Sequence, residues 1–431
     1  MIDYWPYALL LLGVFYFYFS KSSRVEKRSI AIKTAAIEAG LTEPSSLHPE
    51  INPSICLGCG TCVTACPEGN VLGIIGGKAE LVEPTHCIGH GACKTACPTD
   101  AITLVFGTAE RGVDLPKVGP DFQSNVAGVF IAGELGGMGL IRNAVEQGRQ
   151  AVDSIKKLDG LGQKDRYDLI IVGVGPAGFA AALAAKQAGL SYLVVEQDDL
   201  GGTVFKYPRG KVVMTAPAKL PIVGQMNFRE VSKETLLEFW RKVEAEQQLN
   251  VSYRDRVDKV VQTPTGFEVH SQSGQNNARA ILLAIGRRGT PRRLGVAGED
   301  AKKVVYQLID PEQYKGQHVL VVGGGDSALE AATSIADQPG TTVTLSYRSE
   351  AFGRAKSKNR DKVAAQSASG DLRVLLKSQI KSITESSVEI SYDGQNQTIP
   401  NQAVIVCAGG ILPTEFLKSI GINMETKYGT A

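Results

Sequence analysis

Three apolar patterns follow one another along the chain. The first is a continuous run from Trp5 to Phe19 without a charged residue. Asp3 is the only charge between Ile2 and Ser20. Twenty helical residues cover about 30 Å, the thickness of a bilayer's hydrocarbon core. The second pattern is a stretch of short apolar pieces broken by glycine and cysteine, from about residue 48 to 106. The third occurs twice, at Tyr167 to Glu196 and again from Gln317: an apolar strand, a glycine turn, an alanine-rich helix and a second apolar strand. Alternation of strand and helix of this kind predicts parallel sheets of α/β type.

The first run is expected to be a transmembrane helix over residues 1–20. Pro6 suits a first helical turn, and Tyr4, Trp5 and Tyr7 at one end face Tyr16 to Phe19 at the other, as interfacial belts do. Lys21, Arg24, Lys27 and Arg28 follow at once, which orients the remainder toward the cytoplasm. A cleaved signal peptide would carry its charges before the run and small residues after it. The expectation is a single-pass anchor in the cell inner membrane with cytoplasmic domains, followed by an amphipathic or flexible connector over 21–47.

Seven of the eight cysteines lie between Cys56 and Cys97, a distribution that points to metal rather than disulfides. Cys56, Cys59, Cys62 and Cys66-Pro67 form a C-x₂-C-x₂-C-x₃-C-P run, the spacing that wraps three thiolates around one iron–sulfur cube and sends the fourth to another. It recurs as Cys87, His90, Cys93 and Cys97-Pro98. Two matched runs fit crossed cubes better than tetrahedral zinc. They resemble the bacterial two-cluster ferredoxins, a small α+β fold, over about residues 50–106. The resemblance implies one cluster on Cys56, Cys59, Cys62 and Cys97, and another on Cys87, Cys93 and Cys66. His90 stands where that family has cysteine. The second cluster is thus a cube with one imidazole ligand, a three-iron cluster or a cube with an open iron. His86 reads as a loop residue beside Cys87, within reach of a cluster sulfur.

In the first strand–turn–helix unit Gly173, Gly175 and Gly178 form G-x-G-x-x-G, which offers backbone N–H groups and a helix N-terminus to a pyrophosphate. Glu196 closes the second strand, where a carboxylate holds an adenosine ribose. In the second unit Gly323, Gly325 and Ala328 take the same positions, but the strand ends in Tyr347-Arg348, with Arg354 following. Arginine there suits the 2′-phosphate of NADP in preference to NAD. Two such units in this order resemble the thioredoxin reductase-like flavoproteins, which implies FAD in the first and NADP(H) in the second. Further residues carry the likeness. Leu200-Gly201-Gly202-Thr203 lies where that family approaches the flavin, Ala284-Ile285-Gly286 resembles its linker, residues 288–299 its hinge, and Gly409-Gly410 its return.

That family ends in a further flavin-contacting segment, and here the chain stops at Ala431. A matching segment precedes the first unit instead, with Gly133-Glu134 at the position of a Gly-Asp pair. Gly107-Thr108-Ala109 also echoes Gly429-Thr430-Ala431. The FAD domain is therefore expected to be circularly permuted. The ranges are 48–106 for the ferredoxin, 107–158 for the permuted segment, 165–288 for the FAD domain, 289–408 for the NAD(P) domain and 409–431 for the return.

Composition narrows the function. Lys+Arg 46 against Asp+Glu 44 gives a net charge of +2, which argues against a nucleic-acid partner. A mean hydropathy of −0.04 excludes a polytopic membrane protein. Glycine, at 47 of 431 residues, is enriched as phosphate-hugging turns require. Outside the ferredoxin region Cys407 stands alone, in an apolar strand where it reads as core packing, so no dithiol relay is available. The expected activity is electron transfer between NADP(H) and a one-electron protein or small acceptor or donor, through FAD and two iron–sulfur clusters and in either direction. The alternatives are a reductase of a quinone or small disulfide, and a non-enzymatic redox sensor. The flavoprotein resemblance offers a homodimer as oligomeric state.

Overall fold

The computed structural model describes residues 5–44, 47–109, 112–137, 139–287, 289–353 and 355–429. The chain forms two compact units. One comprises 1–112, 351–360 and 427–431; the other comprises 113–350 and 361–426.

In the first unit a single helix runs from Trp5 to Glu38. The stretch 21–38 expected as a connector is thus its second half, and just beyond its end Gly40 takes φ +67°. Ser29, Lys33 and Glu26 dock on the hairpin of Leu72–Ile75 and Lys78–Leu81. A Cβ on Gly73 would lie 2.6 Å from Ser29 Oγ, Lys33 pairs with Glu80, and Gly76 N–H donates to Glu26 at 2.6 Å. Among the described residues no helix is long and apolar enough to cross a membrane. The apolar run within the described helix, Trp5 to Phe19, covers roughly 22 Å at ~1.5 Å per residue, short of the ~30 Å core. The expected transmembrane anchor, and with it the inner-membrane location, therefore has no support in the structure. The first four residues of that expectation lie outside the described residues.

The rest of this unit is a pseudo-symmetric ferredoxin-like fold. His48–Ile51 pairs antiparallel with Ile102–Val105. Two short helices, Thr61–Ala65 and Ala92–Thr95, each begin behind a left-handed glycine, Gly60 at φ 75° and Gly91 at φ 77°. These glycines let the chain curl tightly between ligand positions, where a side chain would be strained.

The second unit is built on two main sheets, with two- and three-stranded ones besides. In the larger, the parallel strands Val251–Ser252, Tyr192–Val195, Tyr167–Val172 and the end of Gly274–Leu283 continue into the antiparallel Gly266–Ser271 and Val257–Thr263. Val129–Ile131 lies parallel on Ile281–Leu283. The smaller sheet is parallel throughout: Val304–Val305, Ala403–Val406, His318–Val322, Thr342–Ser346 and Leu372–Leu375. Buried on both faces, these strands read as near-continuous Val, Ile and Leu runs, which is why the sequence marks them. Two passages between the sheets, Thr290–Pro291 and Gly410–Ile411, run side by side.

The segment ahead of Tyr167 is built into the larger sheet's core. Helix Ile141–Ile155 packs on helix Pro176–Gln187, and its Val145, Ala151, Val152 and Ile155 join Phe130, Phe179, Leu183 and Trp240 in one apolar cluster. Asn125 Nδ2 donates to Gly421 O at 2.8 Å, and its Oδ1 accepts from Asn423 N at 2.8 Å. Strand Met424–Lys427 pairs with Val113–Pro116.

Candidate redox centres

The crossed cysteine arrangement is present in the folded chain. Cys56, Cys59, Cys62 and Cys97 line one cavity; Cys66, Cys87, Cys93 and His90 line another. Each cavity holds about 290 Å³ of atom-free space, its mouth included. Each takes three positions from one cysteine run and the last cysteine of the other.

Their surroundings differ. In the first cavity Ala79 N–H donates to Cys56 Sγ at 3.4 Å and Ala101 N–H to Cys97 Sγ at 3.3 Å. Thr61 Oγ1 lies 3.2 Å from Cys59 Sγ, and Thr99 Oγ1 lies 3.7 Å from Cys97 Sγ. The Thr61 hydroxyl lowers the Cys59 thiol's pKa. Burial opposes the same effect at Cys97, but Thr99 and the Ala101 N–H outweigh it. The second cavity is walled by Pro49, Val71, Leu72, Ala92 and Leu104. Burial pushes the Cys87 thiol up to about 11 and raises Cys66 and Cys93 as well. In the first cavity Cys62 is likewise pushed up to about 11 by burial. A buried thiolate needs a compensating cation, which a cluster iron supplies.

Among the described residues no three His, Cys, Asp or Glu side chains converge on one point. A tetrahedral zinc site needs such convergence, with sulfurs about 2.3 Å from a single ion. In a cube each thiolate meets its own iron, so ligands ring a cavity instead. The residues present fit a cluster.

His86 Nε2 lies 3.1 Å from Glu83 Oε1. His90 Nε2 lies 3.4 Å from Glu68 Oε1, a neighbour that the sequence reading missed. The available signal was positional, since Glu68 follows Cys66-Pro67 where Thr99 follows Cys97-Pro98.

Around the first glycine turn the structure gathers most of the residues expected for FAD. Gly173 takes φ 97°, and a Cβ on Gly178 would lie 1.8 Å from Gly173 O, so the turn closes only with glycine there. Glu196, 5% exposed, accepts from Val174 N–H at 2.8 Å through Oε2 and from Asp198 N–H at 2.8 Å through Oε1. Burial raises its pKa against the pull of these two donors. Gly202 approaches Gly175, a Cβ on it meeting Gly175 Cα at 3.0 Å, and Gly201 N–H donates to Val174 O. Thr203 is half-buried beside them. Gly133, at φ 84°, abuts Ala177 at the start of helix Pro176–Gln187, and its N–H donates to Gln147. Glu134 opens the short turn that follows.

The second turn is built alike. A Cβ on Gly323 would lie 2.4 Å from Cys407 O and 2.9 Å from the buried Ala328 Cβ, and Gly325 caps helix Asp326–Ala336. Arg348 is exposed just past strand Thr342–Ser346. Arg354 lies outside the described residues. Tyr347 was not expected here: its ring lies on Gly324, within 2.4 Å of where a Cβ would stand. Cys407 is half-buried beyond strand Ala403–Val406, its Sγ 3.8 Å from Ser327 O, and so sits at this turn and not in the core.

The family description of pyridine nucleotide-disulphide oxidoreductases matches residues 170–430, and that of a 4Fe-4S dicluster domain matches 48–98. The chain is 31% identical over 271 residues to a ferredoxin–NADP reductase of Ignicoccus hospitalis, covering 60% of this chain and 83% of that one. It is 27% identical over 268 residues to bacilliredoxin reductase Bdr of Bacillus subtilis, covering 60% and 82%. The structure of a bacillithiol disulfide reductase from Staphylococcus aureus superposes with a TM-score of 0.54 at 25% identity, over 60% of this chain and 81% of that one. The chain thus belongs to the pyridine nucleotide-disulphide oxidoreductases, as an FAD-dependent NAD(P)H oxidoreductase that carries a 4Fe-4S dicluster domain ahead of its nucleotide-binding region.

Proposed function

We propose that this oxidoreductase moves electrons between NADP(H) and a one-electron redox partner by way of FAD and two iron–sulfur clusters. The observation that carries the reading is the pair of cysteine-ringed cavities in a chain whose nucleotide-binding region contains Cys407 and no other cysteine. FAD, when bound, exchanges hydride, a two-electron package, for single electrons, which iron–sulfur centres carry one at a time.

The chain's own residues bind and orient. Gly173, Gly175 and Gly178 with the N-terminus of helix Pro176–Gln187 receive the FAD pyrophosphate, and Glu196 holds the adenosine ribose. Gly201, Gly202 and Thr203 lie toward the flavin, and Gly133 and Glu134 toward its ribityl chain. Gly323, Gly325 and Ala328 receive NADP(H), with Arg348 and Arg354 on the 2′-phosphate. Cys56, Cys59, Cys62 and Cys97 hold one cluster. Cys66, Cys87 and Cys93 hold the other, with His90 as its fourth ligand.

The same reading makes 107–158 the permuted last piece of the FAD domain. The strand Val129–Ile131 beside Ile281–Leu283 and the Asn125 bridge to Gly421 and Asn423 support it. A homodimer follows from the flavoprotein resemblance.

A second reading, reduction of a small disulfide, is favoured by the bacilliredoxin and bacillithiol reductases among the relatives. Anaerobic turnover separates the two. With NADPH the first reading expects rapid reduction of a ferredoxin or cytochrome c and negligible reduction of bacillithiol disulfide. The reverse order overturns it.

A further inference from the structure

The two cysteine runs align with an offset of 31 positions, so that Cys59 corresponds to His90 and Glu68 to Thr99. Because the ligand sets cross, each residue that follows a run's last cysteine serves the other run's cavity. Thr99 lines the first, beside Cys97. Glu68 reaches His90 at the second, its Oε1 3.4 Å from Nε2, with the two side chains 17% and 24% exposed. These two departures from the repeat, His90 and Glu68, thus fall at one cavity and touch each other.

We propose that Glu68 is a positioning residue for His90, and that the pair acts together as the fourth position of the second cluster. A histidine that ligates a metal through one ring nitrogen commonly gives its other N–H to a carboxylate, which fixes the tautomer and strengthens the ligand. With Nε2 facing Glu68, Nδ1 is the nitrogen left for iron. The charges balance as well. Imidazole in place of thiolate removes one negative charge from the ligand set, and Glu68 in place of a threonine hydroxyl returns one beside it. Accepting the imidazole N–H makes the ring a stronger donor to iron, so Glu68, acting through His90, holds down a potential that the imidazole alone would raise. Mostly buried, the pair is less screened than an exposed one.

This inference rests on His90 ligation, and the test separates the two. The full-length protein is purified anaerobically, and both clusters are titrated by EPR with ¹⁵N-labelled histidine. Histidine nitrogen coupling to the second cluster tests ligation itself; without it, that reading and the inference both fall. With it, Glu68→Gln is expected to keep the wild-type iron and sulfide content, raise the second cluster's midpoint potential and leave the first unchanged. In a His90→Cys background the same substitution shifts that potential by less than half as much. Glu68→Asp retains the charge and stays near wild type. If Glu68→Gln loses the cluster, its retention in Glu68→Asp supports the carboxylate's role, and its loss in both contradicts it. An unmoved potential in Glu68→Gln, or an equal shift with Cys at position 90, overturns the pairing.

Discussion

Gly148 rests against the backbone of Ala177: a Cβ on Gly148 would lie 2.0 Å from the Ala177 carbonyl oxygen. The contact fastens helix Ile141–Ile155 to the helix that opens at the first glycine turn, and it leaves room for no other residue. Overpacking a fixed backbone contact costs about 1–3 kcal/mol. Gly148→Val is therefore expected to lower Tm by several degrees and to release FAD more readily. Thermal unfolding followed by flavin fluorescence, with the bound FAD counted, checks this. A segment that merely linked two domains would show neither effect.

Arg348 lies exposed at the end of strand Thr342–Ser346, where the first strand–turn–helix repeat has Glu196 instead. A charge-assisted arginine–phosphate contact is worth a few kcal/mol, roughly a hundredfold in affinity. Arg348→Ala should raise KM for NADPH by about that factor while moving KM for NADH little. Steady-state kinetics with both nucleotides decides it, and equal effects remove Arg348 from the 2′-phosphate.

Replacing His90 with cysteine completes the second thiolate set. His90→Cys is expected to leave the iron content unchanged and to lower that cluster's potential, because thiolate stabilises the oxidised state more than imidazole does. Redox titration with metal analysis reads both. An unaltered EPR spectrum would take His90 off the ligand set.

Cys407 has no second cysteine in the nucleotide-binding region, and its sulfur lies 3.8 Å from Ser327 O. Serine donates to the same carbonyl. Cys407→Ser should keep turnover with a one-electron acceptor within about twofold, a change worth less than ~0.5 kcal/mol. A tenfold loss would point to disulfide chemistry.

What was legible in the sequence followed from chemistry carried by neighbouring residues. The cysteine spacings foretold the crossed cavities, because short Gly-rich intervals leave the chain few ways to present its thiols. The glycine turns foretold both dinucleotide units, since only glycine tolerates the approach of Gly178 to Gly173 O. The rest depends on contacts between residues distant in sequence. Helix Trp5–Glu38 runs on because Ser29 and Lys33 meet Gly73 and Glu80, and the apolar run alone read as a span. Glu68 gains its meaning only where the chain brings it to His90. Tyr347 was read as part of an arginine motif, yet its ring covers Gly324, which no periodicity encodes.

The most direct measurement is an anaerobic titration of the full-length protein with NADPH, followed at once by flavin absorbance and low-temperature EPR, with dithionite added at the end. The predicted result is bleaching of the flavin together with reduced-cluster signals before dithionite is added. A flavin bleached by NADPH beside clusters that stay silent until dithionite develops them would contradict electron flow from NADPH through FAD to iron–sulfur.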